Sequence, residues 1–301
     1  MVNPQNITID PLQLPQFRQS ELDVRVLRLD KIHPGISGNK WFKLKYYLEE
    51  ARLGKKKRLV SFGGPYSNHI AALACAAHAG GSSSTGFIRG DRPAILSPTL
   101  IAAQEYGMDL RFLPRDIYRQ RNSPAFLSSL PLVFADGLII PEGGSGDAGL
   151  RGAEEILSAA DTSPYTQICC AVGTGTTLSG LVNSSPPDQQ ITGISILKGT
   201  QDLEPLNPSW IKDRGDLQKL RINHNYHFGG YARKTAGLLD FMNELYAVSG
   251  IPTDFVYTGK LFYAVADLAG TGYFPKGSRV LIIHSGGIQG NASLPAGRLQ
   301  F

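Results

Sequence analysis

Cysteine, methionine and tryptophan are scarce in this chain, with three, three and two copies in 301 residues. Cys75, Cys169 and Cys170 sit inside apolar runs with neither disulfide-scaffold nor zinc-ligand spacing, so a stapled secreted fold and a zinc module are not expected. They read as packing residues of a reducing compartment, and adjacent Cys169 and Cys170 should point to opposite faces of one strand. Also missing is any apolar run long enough to span a bilayer, and Met1–Gln13 is polar and proline-marked, without the charged and apolar regions of a secretory signal. A cytoplasmic protein with no membrane partner is expected. Charge excess is small: the net +5 includes Lys55-Lys56-Lys57-Arg58, four positive charges in one short turn. No aromatic residues interleave with that run as a nucleic-acid platform requires, so nucleic acid is not an expected partner. Internal repeats and low-complexity segments are absent as well.

What is present is an ordinary globular composition, 42% hydrophobic and 18% charged, in a length that suits two domains or one large doubly wound unit. Buried strands alternate with helices. Strands are predicted at Val24–Leu29, Arg58–Phe62, Thr85–Ile88, Leu110–Leu113, Gln167–Val172, Ile191–Leu197 and Arg279–Ile283. Helices are predicted at Lys40–Arg52, Asn68–Ala79, Pro98–Tyr106, Asp116–Leu130, Ala148–Ala159, Lys234–Val248 and Lys260–Leu268, with an irregular segment at Thr200–Asp216. This alternation predicts an α/β protein with mostly parallel, doubly wound open sheets covered on both faces. Ligands of such sheets bind at the carboxyl ends of the strands. Four Gly/Ser/Thr-rich turns fall there, at Gly63–Asn68, Gly143–Gly146, Gly173–Thr177 and Ser285–Gly287, and are candidates to converge on one site.

The chain is organised around Ile36-Ser37-Gly38-Asn39-Lys40-Trp41-Phe42-Lys43. Lys40 follows a Ser-Gly-Asn turn at the start of a helical run, so a helix end holds its side chain, and Lys43 lies one turn on along the same face. Two such ammonium groups suit an anionic cofactor, one bonding to its carbonyl and the other near its phosphate; the alternative is a solvated basic helix start. Gly173-Thr174-Gly175-Thr176-Thr177, between a buried strand and a helix, has the composition of a phosphate cradle. It lacks both the G-x-G-x-x-G spacing and a Walker lysine, which excludes a dinucleotide or ATP as its natural ligand and leaves a phosphate monoester such as pyridoxal phosphate, or a merely structural turn. Ser67, Asn68 and His69 stand at a second helix start, where free amides could take a carboxylate; the alternative is an N-cap serine and a surface histidine.

Taken together and in order, Gly38-Asn39-Lys40 with Lys43, Ser61–His69, Gly173–Thr177, Phe228-Gly229-Gly230-Tyr231, Val256-Tyr257-Thr258-Gly259-Lys260 and His284-Ser285-Gly286-Gly287 resemble the 1-aminocyclopropane-1-carboxylate deaminase and D-cysteine desulfhydrase family. The resemblance runs from about Leu27 to Gly290 and implies the tryptophan-synthase-β-like fold and pyridoxal 5'-phosphate as cofactor. By the same resemblance Lys40 would form the internal Schiff base, Asn68 would bond the cofactor's phenolic oxygen, and Ser67 would contact the substrate carboxylate or act near the reacting carbon, with His69 beside them. Tyr257 would lie against the pyridine ring and Tyr231 would be the second active-site tyrosine. Lys43 and Gly173, Thr174, Gly175, Thr176 and Thr177 would hold the phosphate, and Thr258 and Ser285 would complete the cofactor site. The deaminases carry Glu where this chain has Thr258 and Leu where it has Ser285, and both differences resemble the desulfhydrases. A hydroxyl facing the pyridine nitrogen stabilises a pyridinium less than a carboxylate does, which suits β-elimination.

The expected reaction is therefore D-cysteine desulfhydrase-like β-elimination on a small amino acid, giving pyruvate, ammonia and sulfide. The alternatives are 1-aminocyclopropane-1-carboxylate deamination to 2-oxobutanoate and a non-catalytic cofactor or amino-acid binder. A smaller domain at 49–134 is expected inside a larger one of 1–48 and 135–301, with the site in the cleft, and the resemblance implies a homodimer. Departures from the family are a short Thr200–Asn225 region, Asp254-Phe255 in place of Asp-Pro, and His69 in place of Gln.

Overall fold

Near-continuous burial, on both faces of each main strand, builds both sheets of the protein. The computed structural model describes residues 2–130, 134, 137–202 and 206–301. In order, its strands and helices are β1 (Ile9–Pro11), α1 (Pro15–Gln19), β2 (Asp23–Arg28), α2 (Asn39–Leu53), β3 (Arg58–Gly63), α3 (Asn68–Ala79), β4 (Ser83–Arg89), α4 (Pro98–Glu105), β5 (Met108–Leu113), α5 (Arg115–Arg119), α6 (Pro124–Ser129) and β6 (Leu138–Ile140). There follow α7 (Asp147–Ala153), β7 (Gln167–Val172), α8 (Thr176–Ser184), β8 (Gln190–Ser195), β9 (Leu220–Asn223), α9 (Ala236–Ser249), α10 (Thr258–Gly270) and β10 (Arg279–His284).

One sheet has the order β1-β2-β10-β7-β8-β9 and the other β5-β4-β3-β6. All neighbours are parallel except β1 with β2. In the larger sheet Leu27, Ile168, Cys170, Leu281 and Ile283 pack on one face with Leu178 and Leu181 of α8. Val26, Cys169, Val280 and Ile282 pack on the other with Leu261 and Val265 of α10. Cys169 and Cys170 thus face opposite sides as expected, and all three cysteines are free and buried. Burying each aliphatic side chain contributes on the order of 1.5–3 kcal/mol, so these two faces dominate stability.

Several elements differ from the expectation. The single helix expected over Asp116–Leu130 is two short ones, because Ser123 caps a new helix through the Phe126 amide at 3.2 Å and Pro124 occupies its first position. The helix expected over Ala148–Ala159 ends at Ala153. Gly152 there lies against α2 so closely that a Cβ would stand 1.8 Å from the Phe42 carbonyl oxygen, so the segment serves helix crossing before helix length. The short strands β1, β6 and β9 carry too few residues for an alternating pattern to show. The Thr200–Asp216 segment includes residues 203–205, which lie outside the described residues, as does residue 135 at the expected domain boundary.

Candidate active site

The four glycine-rich turns do converge. Gly64, Ser67 and Asn68 after β3, Gly143 after β6, Gly173–Gly175 after β7, and Ser285 and Gly286 after β10 line one cavity of about 370 Å³. Lys40 and Lys43 project into it from the first turn of α2. Gly38 precedes that helix at φ 66°, and a Cβ there would stand 1.7 Å from the Ser285 carbonyl oxygen. The Asn39 amide donates to that same oxygen at 2.9 Å, so the Lys40 helix start is pinned directly to the turn after β10.

Behind the lysines the side chains form a chain of hydrogen bonds. Lys40 Nζ donates to Asn39 Oδ1 at 2.9 Å, and Asn39 Nδ2 donates to Thr177 Oγ1 at 2.9 Å. Lys43 Nζ donates to the Gly143 carbonyl at 3.2 Å and reaches Thr174 Oγ1 at 3.5 Å. Gly175, in the left-handed region at φ 77°, precedes α8, and Thr174, Gly175 and Thr177 line the cavity at that helix start. Thr176 is fully buried behind them, 3.2 Å from Thr174 Oγ1.

Across the cavity, Ser67 Oγ accepts from the Ile70 amide at 3.3 Å, so it caps α3 while lining the site. Asn68 Nδ2 donates to the Gly287 carbonyl at 3.2 Å, which leaves Asn68 Oδ1 buried without a partner. His69 is not the surface group expected of its helix position; it is buried at 2% exposure. Ser61 Oγ donates to the Ile140 carbonyl at 2.7 Å and so accepts from His69 Nε2 at 2.8 Å, leaving His69 Nδ1 an unpartnered acceptor. Tyr257 packs on the backbone of Gly173, where a Cβ would meet its ring at 3.1 Å, and Tyr231 meets Tyr257 edge to face with centroids 6.1 Å apart.

Comparison with known proteins points to the same family as the sequence resemblance. No family model matches the chain. A Pyrococcus horikoshii protein named as a putative 1-aminocyclopropane-1-carboxylate deaminase is 28% identical over 296 residues, with 93% of this chain and 90% of that protein covered. The bifunctional D-cysteine desulfhydrase/1-aminocyclopropane-1-carboxylate deaminase of Arabidopsis thaliana is 25% identical over 284 residues, covering 85% of this chain and 70% of that one. A solved 1-aminocyclopropane-1-carboxylate deaminase homologue superposes at a TM-score of 0.80 with 26% identity, covering 95% and 90% of the two chains. Over most of its length the chain is similar to this deaminase and desulfhydrase family. Its fold is the tryptophan-synthase-β-like one, and the similarity supports an enzyme of this kind.

Within the site the electrostatics distinguish the two lysines. Burial pushes the Lys40 amine down to about 8 against a smaller opposing pull from Asp254. Lys43 is driven well below the usual lysine value by burial and by Lys40. An uncompensated pair of buried ammonium groups is costly, and Lys43, the more strongly depressed, gives up its proton first; an anion beside Lys43 would restore its charge, while Lys40 is neutral above about pH 8. Burial, then Lys40 and Lys43, push His69 down to about 3, so it stays neutral.

Thr258 does not line the cavity. Its hydroxyl donates to Asp254 Oδ1 and accepts from the Asp254 amide, each at 2.8 Å. Asp254 Oδ1 and Oδ2 also accept from the Thr258, Val256 and Tyr257 amides, so the carboxylate is consumed in starting α10. Ser285 does line the cavity.

Sequence reasoning missed Asn39 as the partner of Lys40, Asp254 as a cavity wall, and Lys260. Lys260 is fully buried and donates to the His227 and Gly230 carbonyls at 2.9 Å each, holding the loop that carries Tyr231. The signal for Lys260 was a lysine in the first turn of a largely apolar helix. Arg89 and Glu142 at the cavity mouth left no local signal at all.

Proposed function

We propose that the protein is a pyridoxal-phosphate-dependent lyase that removes a β-substituent from a small amino acid, in the manner of a D-cysteine desulfhydrase. The residues present suit that cofactor. Lys43, Thr174, Thr177 and the Gly173–Gly175 backbone offer a cationic, donor-rich cradle for a phosphate, Tyr257 offers an aromatic wall, and Lys40 offers an amine for the carbonyl carbon. Bound there, pyridoxal phosphate supplies an electron sink for the charge left at the substrate's α-carbon.

The chain's own groups then divide the work. The free amides of Asn68 and His69 at the start of α3 bind the α-carboxylate, the Ser67 amide being held by the Gly64 carbonyl at 3.1 Å. Asn68 Oδ1, buried and unpartnered, would accept from the substrate nitrogen, and the Nδ2 hydrogen not given to the Gly287 carbonyl would be free for the cofactor's phenolic oxygen. Lys40 Nζ, neutral above about pH 8, takes the α-proton, and Asn39 Oδ1 steadies the ammonium that results. Tyr231 and Tyr257 close the opposite side and exclude water. The substrate loses its α-proton and its β-substituent with the bonding electron pair; water then releases ammonia and leaves pyruvate.

The observation that carries elimination over cyclopropane opening is that neither lining carboxylate is free. Asp254 is held by three amides and a hydroxyl, and Glu142 is paired with Arg121 at 2.6 Å. Ser285 Oγ, with no hydrogen bond among the described residues, is the group left to face the ring nitrogen, in the place expected of Thr258. We place the site in a cleft between an inserted domain of about 49–134 and the remainder, and the enzyme in the cytoplasm as a homodimer. Its three unpaired cysteines support the reducing compartment, and family analogy supports the dimer, which size-exclusion with light scattering tests. The reaction is tested by incubating the pyridoxal-phosphate-loaded protein with D-cysteine and with 1-aminocyclopropane-1-carboxylate. Pyruvate and sulfide from the first are expected; 2-oxobutanoate from the second, with none from the first, would replace this reading by the deaminase one.

A further inference from the structure

We propose that Arg89 recognises a second anionic group, on the substrate's side chain, so that the preferred substrates are amino acids whose β-substituent is negatively charged, of the O-phosphoserine or S-sulfocysteine type. The inference rests on the amino-acid lyase reading above and narrows its substrate class.

Arg89 is the last residue of β4 and lies at the carboxyl edge of the smaller parallel sheet, where it joins the cavity lining. Its guanidinium is carried to the cavity by two features. The face of Tyr118 supports it at 5.9 Å, and Gly64 leaves it room, since a Cβ on Gly64 would stand 3.4 Å from Arg89 Nη2. Gly64 lies in the same turn as Ser67, so the guanidinium stands over the loop that leads into the carboxylate-binding start of α3.

A charge count shows that Arg89 has no protein counterion. Arg121 lies on the same Tyr118 ring at 4.9 Å and takes Glu142 at 2.6 Å. Asp254, the other carboxylate of the lining, is bound by the amides and hydroxyl at the start of α10. Among the described residues Arg89 makes no ion pair and no hydrogen bond. Of the three lining cations, Lys43 meets the cofactor phosphate and Lys40 does the chemistry, while the α-carboxylate is taken by α3. Arg89 is the one lining cation left, and it stands beside the Gly64 turn that leads to Ser67. A guanidinium offers paired N–H donors in the geometry that phosphate, sulfonate and carboxylate accept.

The isosteric pair aspartate and asparagine isolates this contact, because neither carries a leaving group that the lyase would expel. Binding of each, in both enantiomers, is measured by calorimetry to wild type, Arg89→Gln and Arg89→Lys. The wild type should prefer aspartate, Arg89→Gln should cut that preference about tenfold or more, and Arg89→Lys should restore part of it. In parallel, the ratio of kcat/KM for O-phosphoserine to that for β-chloroalanine should fall by a similar factor in Arg89→Gln, mainly through KM. A preference that is unchanged in Arg89→Gln, or equal losses for both members of each pair, would overturn the proposal, the latter by assigning Arg89 to the α-carboxylate. If no amino acid yields pyruvate, the lyase reading fails, and the aspartate preference still decides the role of Arg89.

Discussion

The floor and the mouth of the cavity are built on opposite plans. Floor groups are buried and tied to backbone: Lys43 to the Gly143 carbonyl, Lys40 through Asn39 to Thr177, and Asn39 itself to the Ser285 carbonyl. Mouth groups are side chains with few ties. Tyr66 and Tyr231 are exposed at 38% and 47%, and Arg89 rests on a ring without a counterion. The contrast teaches that the fold fixes the chemistry at the floor and leaves substrate choice to residues that can change without disturbing the sheets. Floor substitutions should therefore destroy function or folding, and mouth substitutions should redistribute specificity.

The largest effect expected is from Lys40→Ala, which should abolish the cofactor's visible absorbance band and lower turnover at least ~10³-fold, as removal of a covalent group does. Stopped assays with D-cysteine check it. Next is Gly38→Ala, whose Cβ clashes with the Ser285 carbonyl and whose φ is positive. A loss of at least ~2 kcal/mol in urea unfolding is expected, and a change under ~0.5 kcal/mol would mean the α2 start is not pinned as described. Lys43→Ala should weaken cofactor binding by about 10–100-fold, read by fluorescence titration, with little effect on kcat at saturation.

Smaller effects sharpen the boundary between floor and mouth. Lys260→Met should free the Tyr231 loop and lower kcat by about tenfold more than it raises KM; equal changes, or none, would separate Lys260 from Tyr231. The pH dependence of cofactor capture follows from Lys40. Its amine is depressed to about 8, so capture should rise about tenfold per pH unit below that value and level above it, whereas an undepressed lysine would keep rising past pH 10.

Much of the floor was legible in the sequence because glycine-rich turns after apolar strands have few other uses, and Lys40 and Lys43 share a helical face. The mouth was not. Arg89 reads as the polar end of an apolar strand, and only the placement of Tyr118 and Gly64 makes it part of the site. The resemblance implies Thr258 as a cofactor residue, but a helix start needs a cap, and Asp254 takes both its hydroxyl and its amide, away from the cavity lining. Among the elements, β6 and β9 have three and four residues, too few for a period to register. The break inside Asp116–Leu130 was written in Ser123-Pro124, a helix start that the surrounding helical pattern obscured.

The central claim is that Lys40, and not its neighbour Lys43, carries the covalent chemistry. Both amines are depressed and both line the cavity. Borohydride reduction of the protein after addition of pyridoxal phosphate, followed by peptide mapping, distinguishes them. The account predicts a single pyridoxyl adduct on Lys40, with Lys43 unlabelled. An adduct on Lys43, or none on either, would contradict it.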